Sequence, residues 1–106
     1  MLAKEYFLDK IKHQIYKTDP EAEIFLYGSR ARGDYEQMSD WDLLILLNTS
    51  DLPFQLETDL LDDLYEIELE TGEVISPLLY TKKEWFENRM NTPLFENIKN
   101  EGILIS

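Results

Sequence analysis

Two carboxylates, Asp40 and Asp42, stand with Trp41 between them at the mouth of an apolar run, Leu43 to Leu47. Asp is disfavoured in strands and seldom fully buried without a partner, so charge in this place needs compensation. In an extended segment side chains alternate, which sets Asp40 and Asp42 on one face, about 6.5–7 Å apart along the backbone, and Trp41 on the other. Acids at that reach can hold one or two hard cations such as Mg²⁺, which prefers oxygen ligands and usually arrives with phosphates. The plainer alternative is a Ser39-Asp40 turn leading into a strand whose first acid lies at a wet sheet edge.

A second motif lies upstream. The apolar run Ile24 to Tyr27 breaks at Gly28-Ser29, and Arg30-Ala31-Arg32 are good helix formers. A strand that stops this way offers backbone N–H groups at a helix start, where phosphate is readily held. Gly28 lets the backbone approach closely, and Ser29 can supply a hydroxyl. Gly33-Asp34 reads as a stop. So short a link fits a brief helix and an antiparallel return better than a full parallel crossover. The phosphate cradle and the acid pair would then meet at one sheet edge.

Together, Gly28-Ser29-Arg30-Ala31-Arg32-Gly33 and Ser39-Asp40-Trp41-Asp42-Leu43-Leu44 resemble the Gly-Ser and Asp-x-Asp signature of the DNA polymerase beta superfamily. Within it the likeness is to the minimal nucleotidyltransferases, small bacterial domains often encoded beside a HEPN (higher eukaryote and prokaryote nucleotide-binding) protein. The resemblance implies an α/β (α+β) polymerase-beta-like nucleotidyltransferase fold, a small mixed β-sheet flanked by helices. It also implies transfer of a nucleoside monophosphate, AMP from ATP, to a hydroxyl. Asp40 and Asp42 would be the catalytic acids and the ligands of Mg²⁺ (or Mn²⁺). Gly28 and Ser29 would hold the outgoing phosphates, with Arg30 or Arg32 adding a charge-assisted contact. A salt bridge to the acidic surface is the other use open to both arginines. In related two-gene systems the acceptor is the HEPN partner and the modification silences it as a toxin, which implies an antitoxin role.

The chain departs from the family pattern at one point. Active members carry a third carboxylate on the next core strand, and the matching stretch here, Val74-Ile75-Ser76-Pro77-Leu78, holds no acid. Ser76 takes the place, and a neutral hydroxyl is a weak Mg²⁺ ligand beside a carboxylate. Glu73 is the nearest substitute, but three residues away in regular β structure it would face the opposite side. Two classes of function therefore stay open. One is the transferase; the other is a catalytically weak or inactive nucleotide-binding module that neutralises or scaffolds a partner by contact.

Composition bounds the rest. The 106 residues suit a single domain spanning 1–106. A net charge of −12 disfavours direct binding to nucleic acid. Asp34 to Thr81 carries thirteen acids and no Lys or Arg, which suits a basic partner protein or cations, or simply a solvated face. Absence of cysteine excludes disulfides and thiol chemistry. No signal-like or membrane-length apolar run is present, so a cytoplasmic location without membrane contact is expected. So small a domain leaves a sheet edge open, and a homo-oligomer or heteromer is a reasonable expectation.

The elements that must position the motifs read as follows. Residues 2–17 place Phe7, Leu8, Ile11 and Ile15 at helical spacing, with Asp19-Pro20 ending the helix and His13 an ordinary helix residue. Asn48 to Pro53 is a loop offering Ser50 or Asp51 as a cap for an acidic helix over 54–70 that Thr71-Gly72 closes. Val74 to Tyr80 reads as a strand buried on both faces, with an edge position or bulge at Pro77. Thr81-Lys82-Lys83-Glu84 has the form of a capping box, with Trp85 and Phe86 as core anchors. Thr92-Pro93 opens a last helix that Gly102 stops, before a short tail or strand at Ile103 to Ile105.

Overall fold

The computed structural model describes residues 4–34, Glu36 and 38–105; residues 2 and 3 of the expected first helix lie outside them. In chain order the elements are α1 (Lys4–Thr18), β1 (Glu23–Tyr27), α2 (Ser29–Arg32), β2 (Trp41–Leu47), α3 (Phe54–Thr71), β3 (Ile75–Thr81), α4 (Lys82–Asn88), α5 (Pro93–Glu101) and β4 (Ile103–Leu104). The strands make one mixed sheet in the order β3-β2-β1-β4. β1 runs antiparallel to both β2 and β4, whereas β2 and β3 are parallel, joined by α3 as the crossover.

Strand alternation divides the interior into two layers. Ile24 and Leu26 of β1, Leu43, Ile45 and Leu47 of β2 and Ile75 of β3 point to one side, where Phe7, Ile11 and Ile15 of α1 and Leu60, Leu64 and Ile67 of α3 cover them. Leu44 and Leu46 point to the other side and meet Trp85 of α4 and Ile98 of α5, with Phe25, Tyr27, Leu78 and Tyr80 beside them. β2 is therefore buried on both faces from Leu43 to Leu47, which explains its unbroken apolar run. Asp42 shares its face with Leu44 and Leu46, on the side where α4 and α5 sit.

Most local signals act as their chemistry predicts. The Thr81 hydroxyl accepts the Glu84 N–H at 3.0 Å, and the Thr92 hydroxyl accepts the Phe95 N–H at 3.2 Å. Gly33 and Gly72 end their helices in the left-handed region, with φ 87 and 77. Three expectations change. Neither Ser50 nor Asp51 caps α3, which starts after Pro53 without a side-chain cap. β3 is not buried on both faces: it is the sheet edge, and residues 76–80 are half-buried, so Pro77 sits where a missing N–H costs no ladder bond. Of the two expected anchors Trp85 is buried, but Phe86 is exposed.

Asp19 ties the α1–β1 link to the end of β2. It is buried, and its carboxylate accepts the N–H of Glu21 at 3.0 Å and of Asn48, just past β2, at 2.6 Å. No helix among the described residues is long and apolar enough to cross a membrane. Asp19→Ala removes the carboxylate from both amides, and a hydrogen bond to a charged group is worth about 1.5–3 kcal/mol. Thermal unfolding followed by circular dichroism should show the midpoint of Asp19→Ala falling by several degrees; an unchanged midpoint contradicts this role.

Candidate active site

The register between β1 and β2 sets Tyr27 opposite Asp42, so the next residue, Gly28, meets the acid directly. Gly28 has φ 74 and ψ −157, a combination essentially confined to glycine. A Cβ added there would collide with the carboxylate of Asp42 and lie 3.1 Å from its Cγ. The elbow that closes β1 and the acid that opens β2 are thus in van der Waals contact. α2 is one turn, held by the N–H groups of Ala31 and Arg32 donating to the Gly28 carbonyl at 3.1 and 3.0 Å. Ser29 is its first residue.

Asp42 is half-buried and Asp40 exposed. Burial, and then the charge of Asp40, push the Asp42 carboxyl above its ordinary pKa, while Arg32 pulls it down. Asp40, Asp42 and Arg32 therefore act across one space. On the other side of Asp42 stands Tyr27, whose phenol is pushed up to about 12 by burial, then by Asp42 and Tyr80. At neutral pH it is a neutral wall beside the acid.

Strand alternation separates the remaining candidates. Ser76 is the register partner of Asp42 on parallel β3, so it shares the face of the acid pair and brings a hydroxyl in place of a charge. Glu73 lies on the Trp41 face: its carboxylate accepts the Trp41 Nε1–H at 3.1 Å and stands 3.7 Å from Arg30 Nη2. Arg30 is on that face too. Its guanidinium is buried, stacks on the Trp41 ring at 4.3 Å, and donates from Nε and Nη2 to the Ser39 carbonyl at 3.3 and 2.9 Å. Arg30 thus holds the residue that leads into Asp40.

Arg32 does remain on the open side. It pairs with Asp34 at 3.2 Å and with Glu101 Oε1 at 3.3 Å. The same Glu101 oxygen accepts the Gly28 N–H at 3.3 Å. A carboxylate from the end of α5 thereby engages the Gly28 N–H and the Arg32 guanidinium together. Sequence reasoning missed both Tyr27 and Glu101. Tyr27 is visible once the antiparallel register is known, whereas Glu101 arrives from 73 positions away with no local signal.

Among the described residues no group of three or more His, Cys, Asp or Glu side chains is arranged around a metal position. The donor set is nonetheless chemically suited to a hard cation that takes its other ligands from phosphate and water, since Mg²⁺ is commonly held by one or two carboxylates. The repulsion between Asp40 and Asp42 is a charge that such a cation would relieve.

Residues 8–105 match the family described as "Nucleotidyltransferase domain". The chain belongs to that family. It is 37% identical, over 79 residues covering 74% of this chain and 72% of the relative, to the "Putative protein adenylyltransferase" of Methanocaldococcus jannaschii. A solved structure described as "Crystal structure of the toxin-antitoxin with AMP-PNP" superposes with a TM-score of 0.63 at 18% identity, covering 91% of this chain and 69% of that one. At that identity the likeness concerns the fold, which is the polymerase-beta-like nucleotidyltransferase fold that the two motifs imply.

In this nucleotidyltransferase domain, Gly28→Ala must move the elbow or Asp42, because the new methyl enters the space of the carboxylate. Strain at such a backbone position is on the order of 1–3 kcal/mol. The variant should unfold at lower temperature than wild type when followed by circular dichroism; an unchanged midpoint would mean that the contact places no constraint on the elbow.

Proposed function

We propose that this nucleotidyltransferase domain transfers AMP from ATP to a hydroxyl of a partner protein. Asp40 and Asp42 would hold a divalent cation, and Gly28, Ser29 and Arg32 would receive the outgoing phosphates. The observation that carries this reading is the contact of the Asp42 carboxylate with the Gly28 elbow, with Arg32 acting on the same acid. The name of the M. jannaschii relative and the AMP-PNP of the toxin-antitoxin structure support the choice of nucleotide. The resemblance to minimal nucleotidyltransferases supports a HEPN-type protein as the acceptor and an antitoxin role.

In the reaction the acceptor oxygen bonds to the α-phosphorus while the bond to the bridging oxygen breaks, leaving AMP on the acceptor and releasing pyrophosphate. The hydroxyl proton needs a base, and a carboxylate oxygen of the acid pair that the cation leaves free would accept it. Bound with the triphosphate, Mg²⁺ or Mn²⁺ would offset charge at the transferred phosphorus and acidify the attacking hydroxyl. Ser29 supplies a hydroxyl donor, and Arg32 a guanidinium that stabilises the charge developing on pyrophosphate. Arg30 serves at one remove, pinning the Ser39 carbonyl so that the acids keep their aim.

One observation favours a second reading. Ser76 stands beside Asp42 where a third acid would complete a two-cation site, and Glu73 is committed to Trp41 and Arg30. A domain so equipped could bind nucleotide and neutralise its partner by contact alone. Incubation with ATP labelled at the α-phosphate, Mg²⁺ and the product of the adjacent gene separates the two. The transferase reading expects label on the partner that disappears with Asp42→Asn. Unlabelled partner in a tight complex supports the binder.

Three further outcomes follow from the charges. Losing one ligand of a catalytic cation should cost several kcal/mol of transition-state stabilisation, so Asp42→Asn should slow transfer by on the order of a hundredfold or more. The same change should raise the melting temperature at neutral pH. The folded pKa of Asp42 lies above its unfolded value, so its ionised form opposes folding above that pKa, and this penalty vanishes below the ordinary carboxylate range. A stability gain that persists at pH 3 would contradict it. Glu101→Gln removes the charge that competes with phosphate at Gly28 and Arg32. Exposed ion pairs are worth about 0.2–1 kcal/mol, so nucleotide affinity should rise by up to about fivefold; weaker binding by Glu101→Gln would show that Glu101 helps to hold the ligand.

A further inference from the structure

The outer side of α3 carries a feature that the nucleotide site does not use. Leu60, Leu64 and Ile67 turn inward against α1 and the sheet. Phe54, Leu61, Tyr65 and Leu69, at intervals of seven, four and four, form a second apolar line on the outer side of the helix. Phe54 is 82% exposed, Leu69 68% and Tyr65 57%, while Leu61, at 38%, is the most covered of the four. Scattered exposed apolar residues are ordinary, but a line of four along one helix marks a contact surface.

Charge indicates what would cover it. At about 100° per residue, Glu57 and Glu68 flank the line on one side and Asp62 and Glu66 on the other. Among the described residues the acids of α3 find one cation, Lys10 at 2.7 Å from Glu70, and no Lys or Arg occurs anywhere from Asp34 to Thr81. A second copy of the chain is a poor occupant, since stacking two such helices would bring acid against acid in a molecule of net charge −12. Nucleic acid and anionic lipid are repelled in the same way.

We propose that this face of α3 docks a basic amphipathic helix of a partner protein, whose apolar stripe covers Phe54, Leu61, Tyr65 and Leu69 while its flanking Lys or Arg residues meet Glu57, Asp62, Glu66 and Glu68. Helix-in-groove and helix-on-helix recognition use this pairing of apolar anchors with charged rims. α3 lies in the layer on the Trp41 side of the sheet, whereas Asp42 faces the other side. A partner held here leaves the acid pair open, so docking does not depend on nucleotidyl transfer and survives its failure.

The test uses the full chain and three reagents. A fluorescent peptide of Leu and Lys patterned as an amphipathic helix is titrated at physiological salt, beside a scrambled peptide of identical composition. Both are repeated with the triple variant Leu61→Ala, Tyr65→Ala, Leu69→Ala, whose circular dichroism should match wild type because none of the three side chains belongs to the buried core. The patterned peptide should bind at least about tenfold more tightly than the scrambled one, and the triple variant should lose at least about tenfold, as truncation of interface anchors commonly does. Equal binding of the scrambled peptide, binding indifferent to the triple variant, or no binding of the patterned peptide overturns the proposal. A wild-type dimer in light scattering that the triple variant dissolves also overturns it, by assigning the face to a second copy.

Discussion

The approach of the Gly28 backbone to the Asp42 carboxylate is the constraint that the rest of the structure accommodates. It requires that β1 and β2 run antiparallel, that their register set Tyr27 against Asp42, and that the residue after Tyr27 lack a side chain. Each condition has its own cause. The short link between the strands forbids a parallel crossover, the apolar faces of both strands forbid a one-residue slip, and the positive φ at Gly28 selects glycine. The cost of placing an acid in a half-buried position is visible in the raised pKa of Asp42, and the cation proposed for this site would turn that cost to use.

The two faces of the sheet assign the work. On the side of Asp42 stand Tyr27 and Ser76, with Arg32 and Glu101 across the opening. On the side of Trp41, Arg30 and Glu73 form a buried arrangement with the indole and the Ser39 carbonyl. That arrangement makes no contact with substrate in the proposed reaction, yet it sets where the acid pair begins. A guanidinium stacked on an indole and bonded to a carbonyl is a stiff support, and it explains an arginine in a motif that would otherwise call for a phosphate ligand.

Much of this was legible in the residues themselves. The apolar runs, Gly28, Gly33 and Gly72, and the threonine caps before α4 and α5 are local signals with local causes, and the antiparallel return follows from link length. That Asp42 and Trp41 lie on opposite faces follows from period two alone. What was not legible depends on distant chain. The burial of Arg30 against Trp41 is a tertiary fact with no local signal, and the apolar content of β3 suggests burial on both faces, although Pro77 marks the edge position that the sheet order shows. Glu101 has no signal near it: only the return of α5 and β4 along β1 brings its carboxylate to the elbow.

The account rests on a cation and a triphosphate meeting between the acids and the elbow. The most direct measurement is a crystal structure grown with a non-hydrolysable ATP analogue and Mn²⁺, with anomalous scattering used to locate the metal. The account predicts an anomalous peak within coordination distance of Asp40 and Asp42, phosphate oxygens at Gly28, Ser29 and Arg32, and Glu101 displaced from the Gly28 N–H. An analogue bound elsewhere, or one seated with no metal peak at the two aspartates, would contradict it.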